Sequence, residues 1–219
     1  MIEFKNASKS FVNKSYKKTL FRKLSFKIQQ GEMIAITGKS GSGKTTLLNI
    51  LGGIELLSEG EYYFKHQMVT KFNNKELLEF RRKNISYVFQ NYALIPEYTV
   101  IDNILLPVLY KYGNKKKYIE RVKTIMKELE IDYLIDQDIK YLSGGEKQRI
   151  AIARALITNN DVILADEPTG SVDDENSKGI MKLFKKMNEQ GKTIIIVTHD
   201  SKIAELKSQS LKFIADSIR

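Results

Sequence analysis

The chain has 219 residues, 42% of them hydrophobic, which favours one large α/β domain with a substantial core. It contains no cysteine, which excludes disulfide bonds and thiolate metal sites and is typical of a reducing cytosol. The net charge is +10, but the basic residues are scattered, as on solvated helix faces. Affinity for anionic lipid or nucleic acid is the other interpretation of this charge.

The first residues, MIEFKNASKS, lack an apolar stretch behind a basic patch, so we expect no secretory signal. No apolar run approaches the roughly 18 residues that a membrane-spanning helix needs. Any role at a membrane therefore has to come through a partner chain.

Three short, β-branched apolar runs predict strands that are buried on both faces of a parallel sheet. They are Met33–Ile36, Val162–Ala165 and Thr193–Val197. Apolar residues at three- and four-residue spacing predict amphipathic helices over 118–129 and 180–187, the second ending near Gly191. This alternation indicates an α/β fold with ligands at the carboxyl ends of the strands.

Two further regions complete the predicted architecture. Short antiparallel strands are expected on one side of the sheet, at Ile2–Phe4, Leu24–Ile28 and Tyr62–Phe64. Residues from about 91 to 142 are expected to form helices and loops inserted between strands, and the lysines of 115–117 to lie in a loop that leads into a helix.

The segment from Gly38 to Thr45 reads GKSGSGKT and follows a predicted strand directly. This pattern is typical of a loop whose glycines turn successive N–H groups toward a phosphate at the start of a helix. Lys44 can reach the β- and γ-phosphates, and the Thr45 hydroxyl can bind Mg²⁺. The predicted nucleotide-binding residues of this loop are Gly38, Ser40, Gly41, Ser42, Gly43, Lys44, Thr45 and Thr46.

Polar side chains follow two of the predicted strands. Asp166 and Glu167 emerge at one strand's carboxyl end, and alternation along a strand points them in different directions. We expect Asp166 to hold Mg²⁺ and Glu167 to act as the general base, or to position the attacking water. His199 follows the last buried strand and is a third catalytic candidate at this edge.

The segment Leu142–Arg149, LSGGEKQR, resembles the signature motif of ABC ATPases. Ser143, Gly144, Gly145 and Glu146 open a second helix N-terminus that is suited to an anion. The resemblance implies that each signature serves the ATP of the opposite subunit, in a head-to-tail dimer with two shared ATP sites.

The chain is similar to this family from end to end, and the resemblance implies further roles. Phe11 falls where an aromatic side chain stacks on adenine, although the family usually has Tyr there and Tyr16 is an alternative. Gln90 matches the glutamine that contacts Mg²⁺ and the lytic water, and His199 the histidine that contacts the γ-phosphate. The sequence Ser171-Val172-Asp173 matches a loop that crosses the dimer interface, with Val where Leu is more common.

The resemblance implies the fold of a P-loop NTPase: one domain over 1–219 with a parallel core, an antiparallel side sheet and a helical subdomain inserted at about 91–158. Within the family, the segments FQNYALIP and ADEPTG are similar to the lipoprotein-release and macrolide- or peptide-export branch.

These features predict the ATP-hydrolysing motor of an ABC transporter, with ATP and Mg²⁺ as cofactors. Its expected partners are a second copy of itself and a separate transmembrane permease, which would hold it at the inner face of the cell membrane. The alternative is a soluble ABC ATPase that acts on nucleic acid or ribosomes. Such proteins usually carry two cassettes or a long coiled coil, whereas this chain has one phosphate loop and only the segment 91–142 between Gln90 and Ser143.

Overall fold

The computed structural model describes residues 1–13, 16–112, 115–170, 172–199, 209–214 and 217–218. The strands are β1 Ile2–Asn13, β2 Tyr16–Ile28, β3 Met33–Thr37, β4 Glu59–Phe64, β5 Gln67–Met68, β6 Ile85–Val88, β7 Val162–Asp166, β8 Thr193–Thr198, β9 Gln209–Ile214 and β10 Ser217–Ile218. The α-helices are α1 Lys44–Leu51, α2 Asn74–Asn84, α3 Val100–Tyr112, α4 Ile119–Glu128, α5 Gly144–Leu156 and α6 Asp174–Glu189.

The central sheet has the strand order β10-β9-β3-β8-β7-β6. The pairs β9–β3, β3–β8, β8–β7 and β7–β6 are parallel, and β10 runs antiparallel to β9. The predicted α/β fold class is therefore confirmed, and the three predicted buried strands lie side by side as β3, β8 and β7.

Successive residues of the central strands pack on opposite faces of the sheet, as the two-residue repeat of a strand requires. In β8, Ile194 and Ile196 pack against the helices α3 to α6, whereas Ile195 and Val197 pack against α1, α2 and the second sheet. All four side chains are at most 1% exposed. This double burial explains why the strand is a continuous apolar run in the sequence.

The second sheet is antiparallel, in the order β2-β1-β4-β5, as predicted. Its first two strands are longer than the apolar segments that predicted them, because their outer halves are polar and form a hairpin of their own. The register pairs Lys9 with Phe21 and Ser10 with Thr19, so it steps over Leu20. This bulge turns Leu20 inward, where its side chain is 6% exposed.

The helices follow local signals that are partly visible in the sequence. Asn73 and Glu76 form a reciprocal capping box at the start of α2, a helix that the apolar periodicity did not predict. The predicted helices over 118–129 and 180–187 correspond to α4 and α6, and Gly191 follows α6 with a φ of 88°. Lys116–Tyr118 form a short 3₁₀ turn that leads into α4. Helices α3, α4 and α5 lie between β6 and β7 in the chain.

Gly60 provides a test of how the second sheet is held together. Its φ is 87°, and a Cβ placed on it would lie 2.4 Å from the Asn6 carbonyl oxygen, where β1 is irregular opposite β4. Gly31 has a similar φ of 79°, but a Cβ there would meet nothing within 4 Å. We expect Gly60→Ala to lower the free energy of unfolding by about 2–4 kcal/mol, because backbone strain and overpacking add.

The matched control, Gly31→Ala, should cost only about 1 kcal/mol because it adds strain without a clash. Urea unfolding of both variants measures the difference. Equal losses would contradict the close approach of β1 to β4.

Candidate functional site

The phosphate loop connects β3 to α1. Gly41 and Gly43 have φ values of 73° and 99°, in the left-handed region that favours glycine. Gly43 is the N-cap of α1 and provides no side chain to cap the helix. The first N–H groups of α1 can therefore receive an anion. The buried hydroxyl of Ser42 has no hydrogen-bond partner among the described residues, which leaves a further polar group for a ligand.

Lys44, the first residue of α1, is folded back over this loop. Its Nζ donates to the carbonyl oxygens of Gly38 at 2.9 Å and Lys39 at 3.1 Å, and the residue is only 7% exposed. The ammonium is thus held by the carbonyl groups of the phosphate loop itself. This arrangement concentrates positive charge at one point, which suits a polyphosphate.

Asp166 ends β7 and lies next to the start of α1. The Thr45 hydroxyl donates to Asp166 Oδ1 at 3.2 Å. Burial raises the pKa of Asp166 above its ordinary value, while the Thr45 hydroxyl and the charge of Lys44 act in the opposite direction. A hydroxyl and a carboxylate oxygen in contact are the hard donors that Mg²⁺ accepts alongside nucleotide phosphates, so the pair fits this ion.

Glu167 lies one residue further, where the chain leaves the sheet. Its φ is 44°, an uncommon value for a residue other than glycine, and its N–H donates to the Val197 carbonyl oxygen at 2.8 Å. Glu167 Oε1 is 2.9 Å from His199 Nδ1, and the His199 N–H donates to Oε2 at 3.3 Å. His199, which follows the neighbouring strand β8, therefore orients the Glu167 carboxylate.

Gln90 lies in the turn after β6, with its side chain exposed. Two and three residues further on, Tyr92 and Ala93 both have positive φ values, of 61° and 47°. The buried guanidinium of Arg154, on α5, donates to the carbonyl oxygens of both residues, at 2.6 Å to Tyr92. Burial lowers the pKa of Arg154 to about 10, so the group stays charged at neutral pH. Arg154 thus links the loop of Gln90 to α5.

These elements surround one open cavity of about 1060 Å³. Most of the predicted loop residues line it, and so do Gln90, Glu167, His199 and Phe11 from separate parts of the chain. The full lining consists of Phe11, Lys18, Leu20, Gly38, Lys39, Ser40, Gly41, Gly43, Lys44, Thr45, Thr46, Gln90, Glu167 and His199. The sequence interpretation missed Lys18 and Leu20, since only the register of β1 with β2 brings them here.

The signature residues do not line this cavity. Ser143 is the N-cap of α5 and forms a capping box with Glu146, which also accepts a hydrogen bond from the Tyr133 hydroxyl at 3.0 Å. The hydrogen bonds from the Ser143 hydroxyl and N–H hold the pKa of Glu146 below its ordinary value. Ser143 is exposed, whereas Gly144 and Gly145 are half-buried. The structure therefore separates the two predicted anion-binding helix starts.

The predicted interface loop can be placed only in part. Ser171 lies outside the described residues, and so does the side chain of Tyr16, the alternative adenine contact. Val172 packs against the core beneath α6, and Asp173 caps that helix by accepting from the Asn176 N–H at 2.8 Å. A Cβ on Gly145 would lie 3.0 Å from the Asn176 side chain, so the start of α6 and the signature adjoin.

Comparison with known proteins agrees with this geometry. Residues 21–170 match the ABC transporter family. The chain is 38% identical over 204 residues to the macrolide export ATP-binding/permease protein MacB of Pasteurella multocida, covering 93% of this chain but 31% of that protein. It is 40% identical over 209 residues to the lipoprotein-releasing system ATP-binding protein LolD of Francisella tularensis subsp. tularensis, covering 93% of this chain and 89% of LolD.

Two solved structures of the bacterial ABC transporter cassette MJ0796 are also similar. A dimeric structure superposes with a TM-score of 0.92 and 36% identity, and covers 100% of this chain and 97% of that one. A dimeric post-hydrolysis state bound to ADP and Pi superposes with a TM-score of 0.90 and 35% identity, with the same coverage.

The chain therefore belongs to the ABC transporter family. It is the ATP-binding cassette of such a transporter, an ATPase, as the signature motif predicted. Within the part of the chain that the structure describes, no helix is long and apolar enough to cross a membrane.

Lys44 gives a direct test of the phosphate loop. We expect Lys44→Ala to weaken ATP binding by at least about 100-fold, because charge-assisted hydrogen bonds to the phosphates are lost in a partly desolvated site. Isothermal titration calorimetry measures the change. Lys75→Ala is the control, since Lys75 is an exposed lysine on α2 that does not line this cavity, and its ATP affinity should be unchanged. Low-micromolar affinity in the Lys44 variant would rule out the assignment.

Proposed function

We propose that this chain is the motor of an ABC transporter and drives a separate membrane permease, in export or extraction. Two copies associate head to tail around two MgATP molecules, and hydrolysis lets them part. The observation that carries the proposal is the separation of the two anion-binding helix starts: α1 opens into the cavity, whereas the exposed Ser143 end of α5 lies outside it. A second copy completes each site by placing its signature over the nucleotide. The dimeric MJ0796 cassettes support this arrangement.

The metal subsite consists of oxygen donors from two elements. The Thr45 hydroxyl and the Asp166 carboxylate would hold Mg²⁺, and the Gln90 amide oxygen would reach it from its turn. When bound, the ion neutralises charge that develops between the β- and γ-phosphates. Lys44, held by the Gly38 carbonyl group, supplies further positive charge to the phosphates.

Glu167 is the residue that acts on the attacking water. Its carboxylate accepts a proton as the water oxygen bonds to the γ-phosphorus, and the bond from that phosphorus to the β-phosphate oxygen breaks, which leaves ADP and phosphate. His199 holds the carboxylate at 2.9 Å and lines the cavity, so it can contact the γ-phosphate as well. The positive φ of Glu167 directs this side chain out of the sheet and into the cavity.

The permease binds at a groove of about 360 Å³ beside the Gln90 loop. Apolar side chains of Leu78, Phe89 and Leu106 line it, with Arg81 and Arg154 among them. Leu78 is 46% exposed and lies with the partly buried Phe89 and Leu106 in one apolar groove, and a grouped apolar surface of this kind marks a site where a partner protein binds. Because Arg154 also holds the Gln90 loop, a shift at this groove reaches the site of hydrolysis.

The names of the relatives support export or extraction as the direction, since MacB is a macrolide export protein and LolD belongs to a lipoprotein-releasing system. The chain spans about a third of MacB, whose name joins an ATP-binding part to a permease. By analogy with LolD, this chain is a single ATPase domain over 1–219, with its helical subdomain at about 91–158. A separate permease holds it at the inner face of the membrane.

Ser143→Arg tests the shared site. We expect the variant to bind ATP as a monomer with nearly unchanged affinity but to lose hydrolysis, because Ser143 faces the partner's nucleotide. Ser143→Ala is the matched control: it removes the cap at a cost of about 1 kcal/mol of stability but leaves space for the phosphate. Calorimetry and a phosphate-release assay measure the two properties. Lost nucleotide binding by a folded monomeric variant would contradict the shared-site arrangement.

Glu167→Gln tests the catalytic role. The amide keeps the shape and removes the charge, so MgATP binding should survive while hydrolysis falls by about 10²–10⁴-fold. Removing a carboxylate beside the γ-phosphate also relieves repulsion between like charges, so the ATP-bound dimer should persist. Size-exclusion chromatography should then show a dimer with MgATP and a monomer without it.

Glu189→Gln, an equivalent change at the exposed end of α6, should leave turnover and elution unchanged. Near-normal turnover in the Glu167 variant would move the catalytic role to another residue, with His199 the next candidate. Loss of nucleotide binding together with turnover would instead assign Glu167 a structural or metal role.

A further inference from the structure

Phe11, the aromatic residue that lines the cavity, belongs to the hairpin formed by β1 and β2. Phe11 lies directly opposite Lys18 in the register, and both line the cavity. Phe11 is 42% exposed, so one part of its ring faces the cavity and the rest is covered. The residue that covers it comes from the same strand.

Lys9 contacts the Phe11 ring without lining the cavity. Its Nζ lies 4.8 Å from the ring centroid, and the residue is 7% exposed. The ammonium also donates to Glu55 Oε1 at 2.7 Å and to the Leu56 carbonyl oxygen at 2.8 Å. The Lys9 ammonium holds the pKa of Glu55 below its ordinary value, so the two groups form a charged pair near neutral pH.

Glu55 and Leu56 belong to the segment that follows α1, and this segment is tied to β1 at several points. The Ser58 N–H donates to the Ser8 carbonyl oxygen at 2.9 Å, and the Ser10 N–H donates to the Ser58 hydroxyl at 3.0 Å. The phosphate loop leads into the amino end of α1, while the segment after the carboxyl end of α1 holds Lys9. The two parts of the cavity are therefore joined through one helix.

We infer that Lys9 is a positioning residue for the nucleotide base, which fixes and polarises the Phe11 ring on which a purine stacks. A cation against one face of an aromatic ring draws its π electrons toward that face. The opposite face then repels a second π system less, and face-to-face stacking with a purine becomes more favourable. The contact also restricts the ring's rotamers, which lowers the entropy lost when the base binds.

The inference rests on the proposed stacking of adenine on Phe11, and the test separates the two. Binding of ATP and of inorganic tripolyphosphate is measured by calorimetry for the parent, Phe11→Ala, Lys9→Met and the double variant. Tripolyphosphate engages the phosphate loop but carries no base. Lys9→Met keeps an apolar stem of similar length and removes the cation. We expect it to weaken ATP binding about 3- to 10-fold while tripolyphosphate binding stays unchanged.

The double variant should bind ATP no more weakly than Phe11→Ala alone, because Lys9 acts through the ring. Lys9→Arg, which keeps a cation, should restore most of the affinity for ATP. Lys17→Met removes a charge from an exposed position on the same hairpin and should change neither affinity. Glu55→Gln keeps Lys9 but replaces its charged partner with a neutral amide. It should weaken ATP binding by a smaller factor than Lys9→Met does. It serves as the test if Lys9→Met does not fold.

The outcomes are distinct. If Phe11→Ala weakens ATP binding selectively and Lys9→Met does not, the role of Lys9 is wrong and adenine stacking stands. Equal weakening of ATP and tripolyphosphate in Lys9→Met would show a general effect on the phosphate loop and would also overturn the inference. If Phe11→Ala leaves the ratio of the two affinities unchanged, Phe11 does not contact the base, and the stacking assignment and the inference fall together.

Discussion

The parallel register of three neighbouring strands is the constraint on which the site depends. Because β3, β8 and β7 run in one direction, their carboxyl ends meet at a single edge, and each end delivers a different group. The phosphate loop follows β3, Asp166 ends β7 with Glu167 directly after it, and His199 follows β8. The Glu167 N–H donates to the Val197 carbonyl oxygen, so the pairing of β7 with β8 extends one residue beyond the end of β7. No one of these segments could form the site alone.

At the same edge of the sheet, several residues have backbone conformations or environments that are unfavourable for folding. Glu167 has left-handed backbone, Ser42 buries a hydroxyl with no partner among the described residues, and burial raises the pKa of Asp166. Each feature costs folding free energy, and the two apolar layers that cover the central sheet offset that cost. Phosphate oxygens and a divalent ion would offer partners to the same polar groups.

Two long-range contacts extend the site into the rest of the molecule. Arg154 joins the middle of α5 to the Gln90 loop, and the same helix begins at the signature. Lys9 joins the segment after α1 to the hairpin that carries Phe11. Arg154 lies on the helix that begins at the signature, whereas the partner of Lys9 lies in the segment that follows the helix beginning at the phosphate loop. Rigid helices of this kind transmit small displacements because packed cores deform little.

Features that depend on neighbours along the chain could be predicted from the amino-acid sequence. The phosphate loop, the buried strands and the helical repeats of α4 and α6 are local patterns, because φ/ψ preferences and the two- and 3.6-residue repeats act over a few residues. The alternation of strands and helices indicated the α/β fold, and the family resemblance implied the same fold with an antiparallel side sheet and inserted helices; the structure and the relatives confirm this fold class. The roles of individual residues, such as Glu167 and His199, stay predictions that the geometry supports.

The contacts between distant residues became apparent only in the folded structure. Lys9 and Glu55 are 46 positions apart, and Arg154 contacts a carbonyl group 62 positions earlier. Lys18 enters the cavity through a bulge at Leu20, which changes the register of a polar hairpin that no periodic pattern marks. Likewise α2 has too few apolar residues to reveal a helical repeat, and its capping box decides where it starts. Such contacts depend on chain topology and on shared burial, and these are properties of the folded chain rather than of any short segment.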